Sequence, residues 1–187
     1  MARWEPGAPD RLQEAAYELY TERGYDATTV AEIAERAGLT KRTFFRHFAD
    51  KREVLFWRSE RVTELVVEAV EGAPADVGPF EAASLGVVAA TEFLNDRRPF
   101  SQRRHALISA NPELQERELI KMARLSGSVA EALRARGVAE VEAAMAAEAT
   151  MAAFRVGWER WVEPTETRSF TEVAREMLDG LRAVAAA

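Results

Sequence analysis

The 187-residue sequence predicts an all-α protein of about nine helices, a small three-helix unit at the N-terminus followed by a larger helical body. Three observations carry that prediction. Apolar residues recur at three- and four-residue spacing over long stretches. Valine, isoleucine and threonine do not gather into alternating runs, so no strand candidate emerges. Proline and glycine are few, and the clusters they form, such as Pro6-Gly7-Pro9 and Gly72 to Pro79, fall between long periodic stretches, as helix boundaries require.

Composition narrows the class. Hydrophobic residues at 48% and charged residues at 30% are ordinary for a globular chain of one large or two small domains. The absence of cysteine excludes disulfides, thiolate metal sites and thiol catalysis. The two histidines, His47 and His105, are too few and too far apart for a metal cluster, and no cofactor is expected. No apolar run approaches the roughly 20 residues that span a bilayer. The opening MARWEPGAPDR lacks the apolar core of a signal peptide, so a cytoplasmic location and no membrane partner are expected.

Taken in order, residues 1–9 contain Pro6, Gly7 and Pro9 and read as an irregular arm. Asp10 can cap a first helix through Arg23, with Leu12, Ala15, Ala16 and Leu19 on one face and Gly24 closing it. The stretch 28–52, TTVAEIAERAGLTKRTFFRHFADKR, then reads as two short helices joined by a tight turn. Thr29 with Glu32 fits a capping box, Gly38 suits the left-handed residue of a helix end, and Thr40 can cap the second helix. Asp50 with Glu53 fits a further capping box, opening a longer helix from Lys51 to about Val70. That helix would link the two halves of the molecule. Gly72, Pro74, Gly78 and Pro79 break the chain before a helix at about 80–95.

The segment NDRRPFSQRRHALISANP follows, where Arg97, Arg98, Arg103 and Arg104 form a basic cluster. Such a cluster either binds a phosphorylated or carboxylated ligand or is a solvated loop and helix start. Asn111-Pro112 opens a helix to about Arg136, ended by Gly137. Residues 139–162 place Ala144, Met151, Phe154, Trp158 and Trp161 on one stripe, with the small Ala146, Thr150, Ala153 and Gly157 offset from it. A last helix at about 168–184 has Phe170, Val173, Met177, Leu178 and Leu181 on its apolar side. Two such helices either pair with their copies in a second chain or pack within one subunit, and periodicity does not separate the two.

The chemistry concentrates in 28–52. In its second helix, Phe44, Phe45 and Phe48 fall within about a third of the circumference at about 100° per residue, opposite Arg42, Thr43, Arg46 and His47. The phenylalanines can anchor the helix while the polar side faces outward, although a plain solvated basic face has the same pattern. Residues 36–52 hold six cations against Asp50, a net +5. The whole chain is −6, so the remainder is −11. A basic spot on an acidic protein suits an anionic partner docking there, and helix–turn–helix is a form that reads duplex DNA. Arg3 and Trp4 then either reach a minor groove or belong to a frayed terminus.

Residues 10–57 resemble the tetracycline-repressor (TetR) family of bacterial regulators, through Gly24-Tyr25, Thr28-Thr29-Val30, Ile33-Ala34, Ala37-Gly38, Phe48 and Lys51 at the family's spacing. The match covers about a quarter of the chain; length and helix pattern carry the rest. The resemblance implies a DNA-binding domain at 1–55, and an effector-binding and dimerisation domain at 56–187. It also implies a homodimer, through the last two helices, on a palindromic operator in double-stranded DNA. By position, Lys41, Arg42 and Thr43 would face base edges, and Thr29, Thr40, Phe45, Arg46, His47 and Lys51 would lie along phosphates. Many members have glycine where Arg42 stands and tyrosine where Phe45 stands. Phe45 therefore lacks a hydroxyl for phosphate, and Arg42 adds a fork suited to guanine O6 and N7.

The segment RRHALISANPEL with the aromatic final helices resembles actinobacterial members thought to sense acyl-CoA-like ligands. On that resemblance, Arg103, Arg104 and His105 would meet the polar end of an effector, and Met151, Phe154 and Trp158 its apolar chain. The expected function is a ligand-responsive transcriptional regulator, a repressor released by a small molecule. The alternative is an architectural DNA-binding protein without an effector. No nucleophile–base pairing, phosphate loop or metal spacing supports an enzyme.

Overall fold

The computed structural model describes residues 7–185; Arg3 and Trp4 lie outside them. Among the described residues nine α-helices follow one another with no strand. They are α1 (Ala8–Arg23), α2 (Val30–Arg36), α3 (Lys41–His47), α4 (Ser59–Glu71), α5 (Pro79–Asn95), α6 (Arg98–Ser109), α7 (Pro112–Ala135), α8 (Glu140–Trp161) and α9 (Phe170–Ala185). A 3₁₀ turn, Glu53–Phe56, lies between α3 and α4. The chain divides into two compact units. The first holds α1 to α3, the 3₁₀ turn and residues 103–118; the second holds residues 60–102 and 119 onward.

In the first unit, Leu12, Ala15, Ala16 and Leu19 of α1 are buried as expected, joined by Tyr17 and Tyr20. Each buried leucine contributes about 2 kcal/mol of apolar transfer. The helix starts earlier than the sequence suggests. Gly7 is its N-cap, Pro9 fits the first turn, and the Asp10 carboxylate meets Arg58 at 2.7 Å instead of capping. Gly24, at φ 85°, ends it by donating to Tyr20 O at 3.0 Å.

The single helix expected from Lys51 to about Val70 is corrected. The chain forms the 3₁₀ turn, breaks at 57–58, and resumes as α4. The reason lies in the carbonyls. Lys51 O accepts from Tyr20 Oη at 2.7 Å, Val54 O from Gln13 Nε2 at 3.0 Å, and Leu55 O from Arg104 Nε at 3.1 Å. Phe56 O accepts from Ser59 Oγ at 2.7 Å. Side chains thus satisfy acceptors that a continuous helix would offer to amides four residues on. Of the expected Asp50–Glu53 capping box, the Asp50 half forms. Asp50 Oδ1 accepts from the amides of Arg52 and Glu53, but the Glu53 carboxylate pairs with Arg117.

The second unit has one core, built from Val66 and Val70 of α4, Ala82, Ala83, Val87 and Ala90 of α5, and the inner faces of α7, α8 and α9. Gly86 lets α5 approach α4: a β-carbon there would stand 2.9 Å from Val66 Cγ1 and Val70 Cγ2 and 3.1 Å from Val66 O. The small residues Ala146, Thr150, Ala153 and Gly157 are all buried. At Gly157 the close neighbour is the chain's own α9, with Ala174 Cα and Phe170 Cε2 each 3.6 Å from the β-carbon position. Ala144, expected on the aromatic stripe, is exposed; Ala143 and Ala147 take the inner position.

Asn95, Ser169 and Glu172 start α9. Asn95 Oδ1 accepts from the Phe170 and Thr171 amides at 2.8 and 3.4 Å. Ser169 and Glu172 form a reciprocal capping box. The helix start at Asn111-Pro112 is found, but the Asn111 side chain donates back to Leu107 O at 2.6 Å and so closes α6.

Candidate nucleic-acid interface

The turn between α2 and α3 follows from local chemistry. Thr29 Oγ1 accepts from the Glu32 amide at 3.3 Å, and Glu32 Oε2 accepts from the Thr29 amide at 2.9 Å, completing the expected box. The Thr29 backbone N–H, together with its hydroxyl, holds the Glu32 carboxyl below the usual glutamate range. At the far end Gly38, at φ 66°, donates to Glu35 O at 2.9 Å and Leu39 donates to Ala34 O at 2.8 Å, the paired bonds of a Schellman ending. Arg11 reaches across from α1 to donate to Ala37 O. Thr40 Oγ1 then accepts from the Thr43 amide at 3.1 Å and opens α3.

Phe44 and Phe48 anchor α3: both are buried, their rings 5.5 Å apart, and Phe48 meets Trp57 edge-on at 6.2 Å. Phe45 departs from the expected trio, since it is 57% exposed. The exposed side of α3 therefore carries Lys41, Arg42, Phe45, Arg46 and His47, with the Thr40 hydroxyl at its start. Thr43 is half-buried, its hydroxyl 3.0 Å from that of Thr40.

The six cations of 36–52 sort into two groups. Arg36 is held by Glu18 and Glu22 at 3.0 and 2.9 Å, and Arg52 by Asp50 at 2.6 Å. Lys51 directs its ammonium at Tyr25 O, Asp26 O and Thr28 O, at 2.8, 3.3 and 3.1 Å, and lies 4.2 Å from the Tyr25 ring centroid. An ammonium has three N–H donors, so these three carbonyls engage Lys51 in holding the loop ahead of α2. Lys41, Arg42 and Arg46 have no carboxylate partner among the described residues; Arg46 lies 3.5 Å from His47 Nε2. The positive face is narrower than the sequence count, and it sits on α3.

The residues expected to meet an effector fall in different units. Arg103, Arg104 and His105 belong to the first. Arg104 is largely buried, donates to Glu118 and to Leu55 O, and lies 4.9 Å from the Phe56 ring centroid. Burial works against its charge, and Glu118 more than offsets this, holding the guanidinium pKa above its ordinary value. Arg103 is 3.4 Å from Glu14, and His105 is 3.5 Å from Ser109 Oγ. Arg98 donates to the carbonyls of Glu163 and Glu166, so this part of the basic cluster ties down the loop before α9. Met151 and Phe154 are buried and Trp158 half-buried in the second unit. Phe170 packs between them, with ring centroids 5.3 Å from Phe154, 5.8 Å from Trp158 and 4.7 Å from Trp161. Sequence spacing showed the stripe on α8 but not that Phe170 of α9 completes it.

Residues 12–56 match the model of the bacterial regulatory proteins of the tetR family, and residues 77–186, more than half the chain, match the MftR C-terminal domain. The chain belongs to the TetR family. It carries that family's DNA-binding helix–turn–helix and an MftR-like C-terminal domain, and regulators of this family are not enzymes. It is similar to the transcriptional regulator TcmR of Streptomyces glaucescens, 43% identical over 75 residues, which are 40% of this chain and 33% of that protein. The chain thus spans about a third of the length of the relatives of this kind that it matches. Among solved structures it is similar to the TetR-family regulator PfmR of Thermus thermophilus. That match is 30% identical over 92% of this chain and 97% of that one, with a TM-score of 0.54. A SmeT–triclosan complex, SmeT being the repressor of a Stenotrophomonas maltophilia multidrug efflux pump, shares the fold. It is 18% identical over 95% of this chain and 90% of that one, with a TM-score of 0.63. No helix among the described residues is long and apolar enough to cross a membrane.

Proposed function

We propose that the protein is a cytoplasmic, ligand-responsive transcriptional repressor that binds a palindromic operator as a homodimer. The carrying observation is the outward face of α3, where Lys41, Arg42 and Arg46 stand exposed with no carboxylate partner among the described residues while the neighbouring cations are engaged. Lys41, Arg42 and Thr43 are placed on base edges and Thr40, Arg46 and His47 along phosphates, with Thr29 and Lys51 holding the turn. Dimerisation is assigned to α8 and α9. An apolar stripe of α8 supports it: Val141, Met145, Ala152 and Val156 are exposed at successive spacings of four, seven and four residues. Gly180 and Val184 are exposed on α9.

The effector is assigned an apolar body, an acyl chain or a drug-like molecule, received beside Met151, Phe154 and Trp158. Arg104 is left out of that assignment because its donors already have partners. Triclosan on SmeT is an example of an apolar ligand on the same fold. A gel shift with the DNA upstream of the protein's own gene tests the first part. A salt-sensitive complex that resists scrambled competitor is expected, and binding no tighter than to scrambled DNA would count against it. A thermal-shift screen of acyl-CoAs, fatty acids and cationic drugs tests the second, since a ligand that binds only the native state raises Tm. An architectural DNA-binding protein would bind broadly and respond to none of them.

A further inference from the structure

Phe45 is not needed to hold α3. Phe44 is wholly buried and Phe48 nearly so, whereas Phe45 is more than half exposed and meets the Phe44 ring in a T-shaped pair, 5.5 Å between centroids at 80°. Around the helix, at about 100° per residue, Phe45 falls about 40° from Lys41 and about 60° from Arg42. The ring therefore stands between two exposed cations that have no carboxylate partner among the described residues. With Lys41 and Arg42 on base edges, the ring between them faces the same groove. A major groove presents hydrogen-bonding atoms at every base pair but only one apolar group, the C5-methyl of thymine. A phenyl ring has no polar atom with which to use the others.

Resting on the DNA-reading role proposed above, we propose that Phe45 reads the C5-methyl group of a thymine in the major groove. Residues three apart on a helix have Cβ atoms about 5–6 Å apart, and bases along one strand rise about 3.4 Å each. The thymine therefore lies one or two base steps from the base that Arg42 contacts.

The test begins by selecting duplexes that the full-length protein enriches from a random library. Each thymine of the enriched site is then replaced in turn by uracil, which removes the methyl and leaves every hydrogen-bonding atom. One thymine per half-site should weaken binding about fourfold when replaced, the worth of one buried methyl. Phe45→Ala should bind the thymine and uracil duplexes equally, and Phe45→Leu, still apolar, should keep part of the discrimination. The exposure of Phe45 predicts a wild-type Tm for both variants. If uracil is neutral at every position, or if Phe45→Ala weakens both duplexes by the same factor, the ring packs on the backbone and the proposal fails. If no sequence is enriched at all, the DNA-reading role fails with it.

Discussion

Arg104 ties residues 103–118 to the 3₁₀ turn through Leu55 O while Glu118, in the same segment, pairs with its charge, and removing that pair makes a quantitative prediction. The Arg104 side chain is 15% exposed and Glu118 29%; Arg104 Nη1 donates to Glu118 Oε1 at 3.1 Å and Nε to Leu55 O at 3.1 Å. Breaking a fully buried ion pair from one side costs about 3–5 kcal/mol, because a desolvated charge is left alone. Partial exposure here reduces that to about 2–3 kcal/mol for Glu118→Gln. For a chain of this size the expected fall in Tm is about 4–12 °C, at about 2–4 °C per kcal/mol. The double variant Arg104→Met/Glu118→Leu removes both charges and should recover much of the loss. Thermal melts of the wild type, Arg104→Met, Glu118→Leu and the double variant give the coupling energy directly. Glu118→Gln melting within a degree of wild type, or single losses that simply add, would show that the two side chains do not stabilise each other.

Four further substitutions have expected outcomes. Gly38→Ala puts an L side chain at φ 66°, which should cost about 1–2 kcal/mol and lower Tm; an unchanged Tm would contradict the Schellman ending. Gly86→Ala should destabilise by about 1 kcal/mol, because crowding against Val66 and Val70 outweighs the gain in helix propensity. Gly127→Ala, with open space around its β-carbon, should instead stabilise by about 0.5–1 kcal/mol, and melts giving both variants the same sign would refute the contrast. The Thr29 amide holds the Glu32 carboxyl below its ordinary value, so its contribution is present above the unfolded pKa of about 4.3 and disappears as pH falls through the lower folded value. The Tm gap between wild type and Glu32→Gln should therefore be full near neutrality and close on acidification below about pH 4. A gap that widens toward acid would reverse the sign of this linkage.

The parts of the fold that were legible in the sequence are those whose partners lie within a turn of each other. Thr29 and Glu32 are three residues apart, as are Thr40 and Thr43, and Gly38 must supply the left-handed residue after α2 whatever surrounds it. Contacts across long separations were not legible. The helix expected from Lys51 breaks because Gln13, Tyr20 and Arg104, between 31 and 49 residues away, take its carbonyls. The same blindness made Arg103 and Arg104 look available for a ligand, since nothing in a basic run announces Glu14 or Glu118 as partners. Charge counting likewise overstated the DNA-facing cations, three of which are engaged within the unit. Phe45 fitted the anchoring trio by angle, yet two rings sufficed to fill the core beneath α3.

The central claim is that α3 reads sequence through Arg42 and its neighbours. Fluorescence anisotropy of wild type and Arg42→Ala, each on an enriched duplex and on a scrambled duplex of equal length, measures it most directly. The wild type should prefer the enriched duplex by about a thousandfold or more. Arg42→Ala should lose about 1–3 kcal/mol on that duplex alone, with scrambled binding nearly unchanged. Equal loss on both duplexes would place Arg42 on phosphate, and a wild type that binds both alike would contradict sequence reading altogether.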